Sequence, residues 1–124
     1  MPTPVEIRLR RAERLLDVTF DDGRQFSLPA EYLRVESPSA EVQGHGPGQK
    51  VIVAGRSHVG IMRLEPVGHY AVRLVFDDLH DSGIYTWAYL HELGLEYETR
   101  WATYLAALAE RGLSREPRGK GRAP

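Results

Sequence analysis

Apolar and polar residues alternate along three successive stretches near the start of the chain, at 5–9, 16–20 and 26–28. This period of two is typical of strands that bury one face of a sheet. Asp22 and Gly23 stand between the second and third stretches, and both residue types tolerate the positive φ angles of a tight type I′ turn. The first quarter of the chain is therefore predicted to fold as a β-meander that contains a hairpin.

The middle of the chain carries shorter strand patterns between loop-forming segments. Pro29 presets the φ angle of a first helical position, so one or two helical turns are predicted at 29–34. The Ser, Gly and Pro residues at 35–50 indicate a loop. Three further strands are predicted at 51–53, 60–64 and 70–76, with a break at 66–68.

The last third of the chain carries helical patterns. Asp81 or Ser82 is expected to cap a helix through its side-chain oxygen, and Gly94 is expected to end that helix in the left-handed conformation. A second helix is predicted over 95–111, because apolar residues recur there at helical spacing, and Gly112 is its expected stop.

Strands first and helices last predict an α+β domain. We expect a small antiparallel, meander-like β-sheet packed with two C-terminal helices and one short helix after the first hairpin. This domain is expected to span residues 1–112. Residues 113–124 combine Arg and Lys with Gly and Pro, and they are predicted to form a disordered basic tail.

The composition narrows the classes of function. The formal net charge of −1 predicts no general affinity for nucleic acid or for anionic membranes. No stretch reaches the roughly 18 apolar residues of a membrane span, and the charged start of the chain lacks a signal-peptide apolar region. The lack of Cys excludes disulfides, thiol nucleophiles and thiolate metal sites. A cytoplasmic protein is the simplest expectation.

Known catalytic motifs are missing from the sequence. It has no His-Glu-x-x-His, no Gly-x-Ser-x-Gly and no phosphate-binding Gly loop. An even spacing of eleven separates four of the five His residues, but their flanking residues differ, so we interpret the spacing as chance; they are His58, His69, His80 and His91. No pairing of a nucleophile with a base is identifiable, which makes an enzymatic function the least favoured class.

The stretch from Asp77 to Trp87 combines polar, turn-forming and aromatic residues, and it supports a resemblance that covers 5–110. Around the first hairpin, Leu-x-Val-x-Phe-Asp-Asp-Gly at 16–23 and Leu-Pro-x-Glu-x-Leu-Arg at 28–34 look like the start of the gamma-butyrobetaine hydroxylase-like N-terminal domain family. The residues that match the family pattern include Gly23, Leu33, Arg34, Gly68, Tyr70, His80, Gly83, Tyr85 and Trp87, with Ser37 and Ser39 at further family-motif positions.

Members of this family occur as short stand-alone bacterial proteins of unknown function, as accessory N-terminal domains of 2-oxoglutarate-dependent carnitine-pathway hydroxylases, and fused to Mrp-type iron–sulfur carrier ATPases. The resemblance therefore implies a non-catalytic accessory or adaptor domain that docks a protein partner, either an iron–sulfur carrier or a metabolic enzyme. A metal-binding protein centred on His80 is the alternative, and a small enzyme of unknown reaction is the third hypothesis. A monomer is favoured.

The resemblance also bears on metal binding. In the hydroxylases this domain holds a structural zinc through three Cys and one His. In this chain Ser37, Ser39 and Val42 stand where the Cys residues would be, and only the His is retained, as His80. A structural zinc needs four donors, normally thiolate or imidazole. We therefore predict that this zinc site is absent and expect no cofactor.

Two interpretations of His80 remain. The first is structural: the imidazole anchors the turn between a strand and a helix, and Asp78 or Asp81 fixes its tautomer. The second is a weaker zinc or iron(II) site, in which His80 is joined by nearby carboxylates and a residue of the facing loop. The candidate partners are Asp77, Asp78 and Asp81, together with His45 or Glu41.

Other prominent side chains also have a structural and a functional interpretation. Trp87 is predicted to be a core anchor, and the alternative is an exposed aromatic patch formed with Tyr85 and Tyr89. Gly83 is predicted to adopt a backbone conformation that bulkier residues cannot adopt. The basic side chains of Arg34, Arg63 and Arg73 are predicted to form surface ion pairs rather than a cationic face that binds a ligand.

Overall fold

A computed structural model describes residues 2–44 and 48–117. Within these residues the chain forms six strands and four helices. The strands are β1 (Pro4–Arg10), β2 (Leu15–Phe20), β3 (Gln25–Pro29), β4 (Ile61–Val67), β5 (Ala71–Phe76) and β6 (Ile84–Thr86). The helices are α1 (Ala30–Val35), α2 (Ala40–Gln43), α3 (Trp87–Leu95) and α4 (Tyr97–Glu110). The predicted α+β class is confirmed.

The strands form two antiparallel three-stranded sheets, with the orders β1-β2-β3 and β4-β5-β6. The predicted hairpin between β2 and β3 is confirmed, and Gly23 takes the positive φ of 87° that the turn requires. The predicted break at 66–68 is shorter than expected, because β4 continues through Pro66 to Val67. Pro66 is tolerated there because β4 is an edge strand. It pairs with β5 alone, so the opposite side of β4 needs no hydrogen-bond donors for a neighbouring strand.

Three local predictions were wrong. Residues 51–53 form no strand; they extend along α4. A third strand of the second sheet, β6, lies where a helix was expected, so neither Asp81 nor Ser82 caps α3. Instead the side chain of Thr86 accepts a hydrogen bond from the Tyr89 N–H at 3.1 Å. Gly94 lies within α3 rather than ending it.

The role of Gly94 is to allow close packing. A Cβ at this position would lie 2.4 Å from the ring of Phe26, so only a glycine lets α3 approach β3 this closely. Gly112, in contrast, has a φ of 66° directly after α4, and the predicted helix stop is confirmed.

Two apolar clusters hold these elements together. The larger one lies between the sheets and α3, and β2 supplies Leu16, Val18 and Phe20 from one face, as the alternation predicted. The smaller cluster joins Val35 of α1 to Tyr104 and Leu108 of α4, under residues 52–54. None of the helices in the described part of the chain is long and apolar enough to cross a membrane.

The start of the predicted tail is part of this arrangement. The carbonyls of Ser114 and Arg115 accept hydrogen bonds from Gly55 N–H and Ser57 N–H, each at 2.9 Å. Arg115 also contacts the carboxylate of the buried Glu31 through two nitrogens, at 2.7 and 2.9 Å. Residues 118–124, which carry the rest of the predicted basic tail, lie outside the described residues.

Candidate functional site

The loop that joins β5 to β6 places His80 against α1 and the segment that follows it. The Phe76 N–H donates to the His80 carbonyl at 3.0 Å, and the Leu79 N–H donates to the Phe76 carbonyl at 3.1 Å. Leu79 takes a φ of 74°, a left-handed conformation that is uncommon for a residue with a bulky side chain. The turn therefore points His80 inward and leaves Leu79 outside.

Side chains fix this turn from both ends. Asp78 accepts from the His80 N–H at 3.2 Å, and Asp77 accepts from the Gly60 N–H at 3.0 Å. The other Asp78 oxygen accepts from the Nε groups of Arg34 and Arg56, at 2.8 and 2.7 Å. Burial alone would raise the pKa of Asp78, but these hydrogen bonds outweigh it and lower the pKa below its usual value.

The His80 ring has hydrogen-bond partners at both nitrogens. Its side chain is buried, Nε2 lies 2.9 Å from Ser37 Oγ, and Nδ1 lies 3.0 Å from Glu41 Oε1. An ionised carboxylate can only accept, so Nδ1 carries the proton and Nε2 accepts from the Ser37 hydroxyl. Burial lowers the pKa of His80, and the nearby Arg34 lowers it further, so the neutral imidazole is favoured.

Glu41, rather than Asp78 or Asp81, therefore holds the tautomer. Asp78 bonds the backbone of His80 and not its ring. The carbonyl of Asp81 accepts from Arg73 at 3.4 Å, and among the described residues its carboxylate makes no hydrogen bond to the His80 ring. Within residues 2–44 and 48–117, no three His, Asp or Glu side chains are grouped so that they could hold a metal ion. The other proposed partner, His45, lies outside the described residues.

The order Ser37–His80–Glu41 is that of a nucleophile, a base and an orienting acid, an arrangement that the sequence did not reveal. Ser37, however, is completely buried. A Cβ added to Gly83 would lie 2.6 Å from Ser37 Oγ, so the backbone of the loop already packs on the hydroxyl. Because a substrate has no access to Ser37 in this conformation, the three side chains act as an internal hydrogen-bonded connection between α1, α2 and the β5–β6 loop.

The resemblance implies zinc ligands at positions 37, 39 and 42, and the residues that stand there do not fit a zinc ion. Ser37 is already bonded to His80, and Val42 is buried and has no donor atom in its side chain. The hydroxyl of Ser39 is buried without a partner among the described residues, but a neutral hydroxyl does not replace a thiolate.

A glycine is required at position 83 because of this close packing and not because of an unusual backbone angle. Its φ does not lie in the left-handed region, so the predicted special conformation was wrong. The residues that follow alternate in burial. Tyr85 is completely buried and donates to the Leu33 carbonyl at 2.5 Å. Trp87 is half-buried against the core and donates through Nε1 to the His69 carbonyl at 2.8 Å.

The exposed aromatic surface is smaller than the alternative interpretation required. Tyr70, which lies over Gly68, and Trp87 line one shallow depression, whereas Tyr89 donates to the Glu36 carbonyl at 2.6 Å. The three arginines are all engaged in ion pairs. Arg34 pairs with Asp78, and Arg63 and Arg73 both pair with Glu65.

The family described as "Gamma-butyrobetaine hydroxylase-like, N-terminal" matches residues 7–91, which include the end of β1, the first hairpin and the whole Ser37–His80–Glu41 group. The chain belongs to this family. No curated protein matches the chain.

Solved structures agree with the family membership. One structure determined by NMR in solution is 46% identical, covers 100% of this chain and 98% of its own, and has a TM-score of 0.84. A second solution structure is 47% identical over 94% of this chain and 87% of its own, with a TM-score of 0.81. A crystal structure from Acidithiobacillus ferrooxidans, described as a DUF971 family protein of unknown function, is 42% identical over 74% of this chain and 92% of its own, with a TM-score of 0.63.

Proposed function

We propose that this gamma-butyrobetaine hydroxylase-like N-terminal domain is a non-catalytic accessory domain that docks onto another protein in the cytoplasm. The family description names the N-terminal part of hydroxylase-like proteins, a position that suits an accessory role. The complete burial of Ser37 supports a role without catalysis, since the one nucleophile–base pair described above is closed to solvent.

The observation that carries the docking proposal is the conformation of Leu79. Its side chain is 86% exposed although it is apolar. Its left-handed backbone costs about 1 kcal/mol relative to a relaxed turn. Strain of this kind is found at functional sites, where the surrounding structure enforces it. Here the turn that exposes Leu79 is held by the hydrogen bonds that the carboxylates of Asp77 and Asp78 accept.

An apolar side chain on a turn that hydrogen bonds hold in place is suited to fill a hydrophobic pocket on a partner. The backbone of such a turn has little conformational freedom left to lose on binding, which favours affinity. The partner class follows from the resemblance, which associates this family with Mrp-type iron–sulfur carriers and iron-dependent hydroxylases. We therefore expect the partner to be an iron–sulfur carrier or an iron-dependent enzyme.

The test is a calorimetric binding experiment with an Mrp-type iron–sulfur carrier. Replacing Leu79 by Ser should weaken binding at least tenfold, which corresponds to about 1.4 kcal/mol. Leu95→Ser is the matched control, because Leu95 is 53% exposed at the far end of α3 and should leave binding unchanged. Equal loss in both variants, or no binding by the wild-type chain, would contradict the proposal.

A further inference from the structure

A cavity of about 270 Å³ lies between residues 50–53 and helix α4, on surface that the Leu79 turn does not share. Its floor is apolar, because Val35 and Tyr104 of the smaller core cluster lie beneath it. The Tyr104 hydroxyl donates to the Val53 carbonyl at 2.6 Å and so fixes the distance between the two walls. The cavity is slightly smaller than the pockets of about 300–1,000 Å³ that hold drug-sized ligands, so its occupant must be small.

One end of the cavity is charged. Glu36 is buried there, and its Oε1 accepts from Lys50 Nζ at 2.7 Å and from Arg100 Nη1 at 2.9 Å. Arg100 also pairs with Glu92 and Glu96, so its own charge is balanced by carboxylates. Two cations thus share one buried carboxylate at the end of an apolar chamber.

Lys50 has capacity for a further partner. An ammonium group carries three donors, and among the described residues Lys50 bonds only Glu36. Its side chain is 38% exposed, so the ammonium lies at the entrance of the cavity rather than in its floor. An anionic group placed there would meet the remaining donors of the Lys50 ammonium.

We propose that this cavity binds a small monocarboxylate with an apolar body. The apolar body lies against Val35, Val53 and Ala107, and the carboxylate accepts from Lys50. A protonated amine in place of the carboxylate has no acceptor for the Lys50 donors, and a neutral alcohol would gain only a weaker hydrogen bond. The proposal is independent of docking through Leu79, which does not line the cavity.

The test compares three ligands that share an eight-carbon chain and differ in the head group: octanoate, octanol and octylamine. Each is titrated into the ¹⁵N-labelled chain below its micelle-forming concentration and followed by amide NMR. Octanoate should give saturable shifts at 50–53 and along the facing side of α4, with an affinity about tenfold above that of octanol. Octylamine binding as tightly as octanoate, or an absence of saturable shifts with octanoate, would overturn the proposal.

Two variants and one control localise the binding. Ala107→Phe should fill the cavity and abolish the octanoate shifts, whereas Ala106→Phe, on the exposed neighbouring position of α4, should leave them unchanged. Lys50→Gln should reduce the affinity for octanoate and leave that for octanol unaltered. If the Ala107→Phe variant still binds octanoate, or if the Lys50→Gln variant binds octanoate as tightly as the wild type, the site is not the one proposed. Binding of the carrier protein is measured separately and tests docking alone.

Discussion

His80 Nε2 lies 2.9 Å from Ser37 Oγ although 43 residues separate them in the chain. This hydrogen bond joins the segment after α1 to the loop before β6. Glu41 extends the connection to α2 through Nδ1 at 3.0 Å. Hydrogen bonds between side chains thus connect α1, α2 and the β5–β6 loop.

The packing of Gly83 on Ser37 can be measured by a double-mutant cycle. Gly83→Ala should destabilise the wild-type chain by about 1–3 kcal/mol, because its Cβ would lie 2.6 Å from Ser37 Oγ. Ser37→Ala alone should cost a similar amount, because the buried His80 Nε2 loses its donor. In the Ser37→Ala background the cost of Gly83→Ala should be smaller by about 1 kcal/mol. Urea unfolding of the four proteins gives these values, and strictly additive costs would argue against the contact.

The lowered pKa of His80 predicts a loss of stability in mild acid. The unfolded chain takes up a proton near the ordinary pKa of 6.5, whereas the folded chain does so only at lower pH. The contribution of His80 to stability is therefore fully present above pH 6.5 and declines as the pH falls, until the folded-state pKa has been passed. The free energy of unfolding of the wild type and of His80→Gln, measured between neutral and acidic pH, should converge as the pH falls. A gap that widens in acid would show that the folded-state pKa is raised.

A zinc site should be recoverable by restoring thiolates. The triple variant Ser37→Cys, Ser39→Cys and Val42→Cys would supply three thiolates beside His80, which is a normal ligand set for structural zinc. We expect this variant to retain about one zinc per chain after desalting and the wild type to retain none. Metal analysis and amide NMR with added zinc provide the measurement. Zinc retention by the wild type, with shifts around His80, would instead support the metal-centred hypothesis.

Arg115 should contribute to folding although it lies in the predicted tail. Its bidentate contact neutralises Glu31, and its guanidinium lies 5.4 Å from the centre of the Trp101 ring. Arg115→Ala leaves a buried carboxylate without this partner and should cost about 2 kcal/mol, less than a fully buried pair because Arg115 is half exposed. Arg111→Ala, at an exposed position just after α4, is the matched control and should change stability little. Equal thermal unfolding of both variants would mean that the contact does not contribute.

Replacing Leu79 by Asn should have opposite effects on the stability of the chain and on its binding to a partner. Asn adopts the left-handed conformation more readily than Leu, so Leu79→Asn should raise the free energy of unfolding by about 0.5–1 kcal/mol. The same change should weaken binding to the carrier protein, since it removes the apolar side chain. Chemical denaturation and calorimetry of one variant test both effects. A destabilised Leu79→Asn protein would show that the conformation of Leu79 carries no strain.

The amino-acid sequence predicted the elements with strong local patterns. Alternation located β2, and the Asp22-Gly23 pair located its hairpin, because both signals are local. The three residues of β6 could not be found in this way, since so short a strand has no period of its own and is defined by pairing with β5. The apolar run at 51–53 was misassigned because a short run looks the same whether it enters a sheet or covers a helix.

The candidate site was predicted only in outline. The family pattern marked Ser37 and His80 as members of one site, and the structure places them in contact. Their relation to Glu41 depends on how α2 packs against the β5–β6 loop, which no local pattern encodes. For the same reason the exposure of Leu79 could not be read from its neighbours, which are polar residues typical of any turn.

The most direct test of the proposed function is an amide NMR experiment in which the ¹⁵N-labelled chain is titrated with an unlabelled Mrp-type iron–sulfur carrier. The account predicts saturable shifts or line broadening concentrated at 77–83, with the cavity beside α4 unaffected. Saturable shifts elsewhere, with residues 77–83 unchanged, would contradict docking through the Leu79 turn. A spectrum unchanged at saturating carrier concentrations would contradict docking onto this partner altogether.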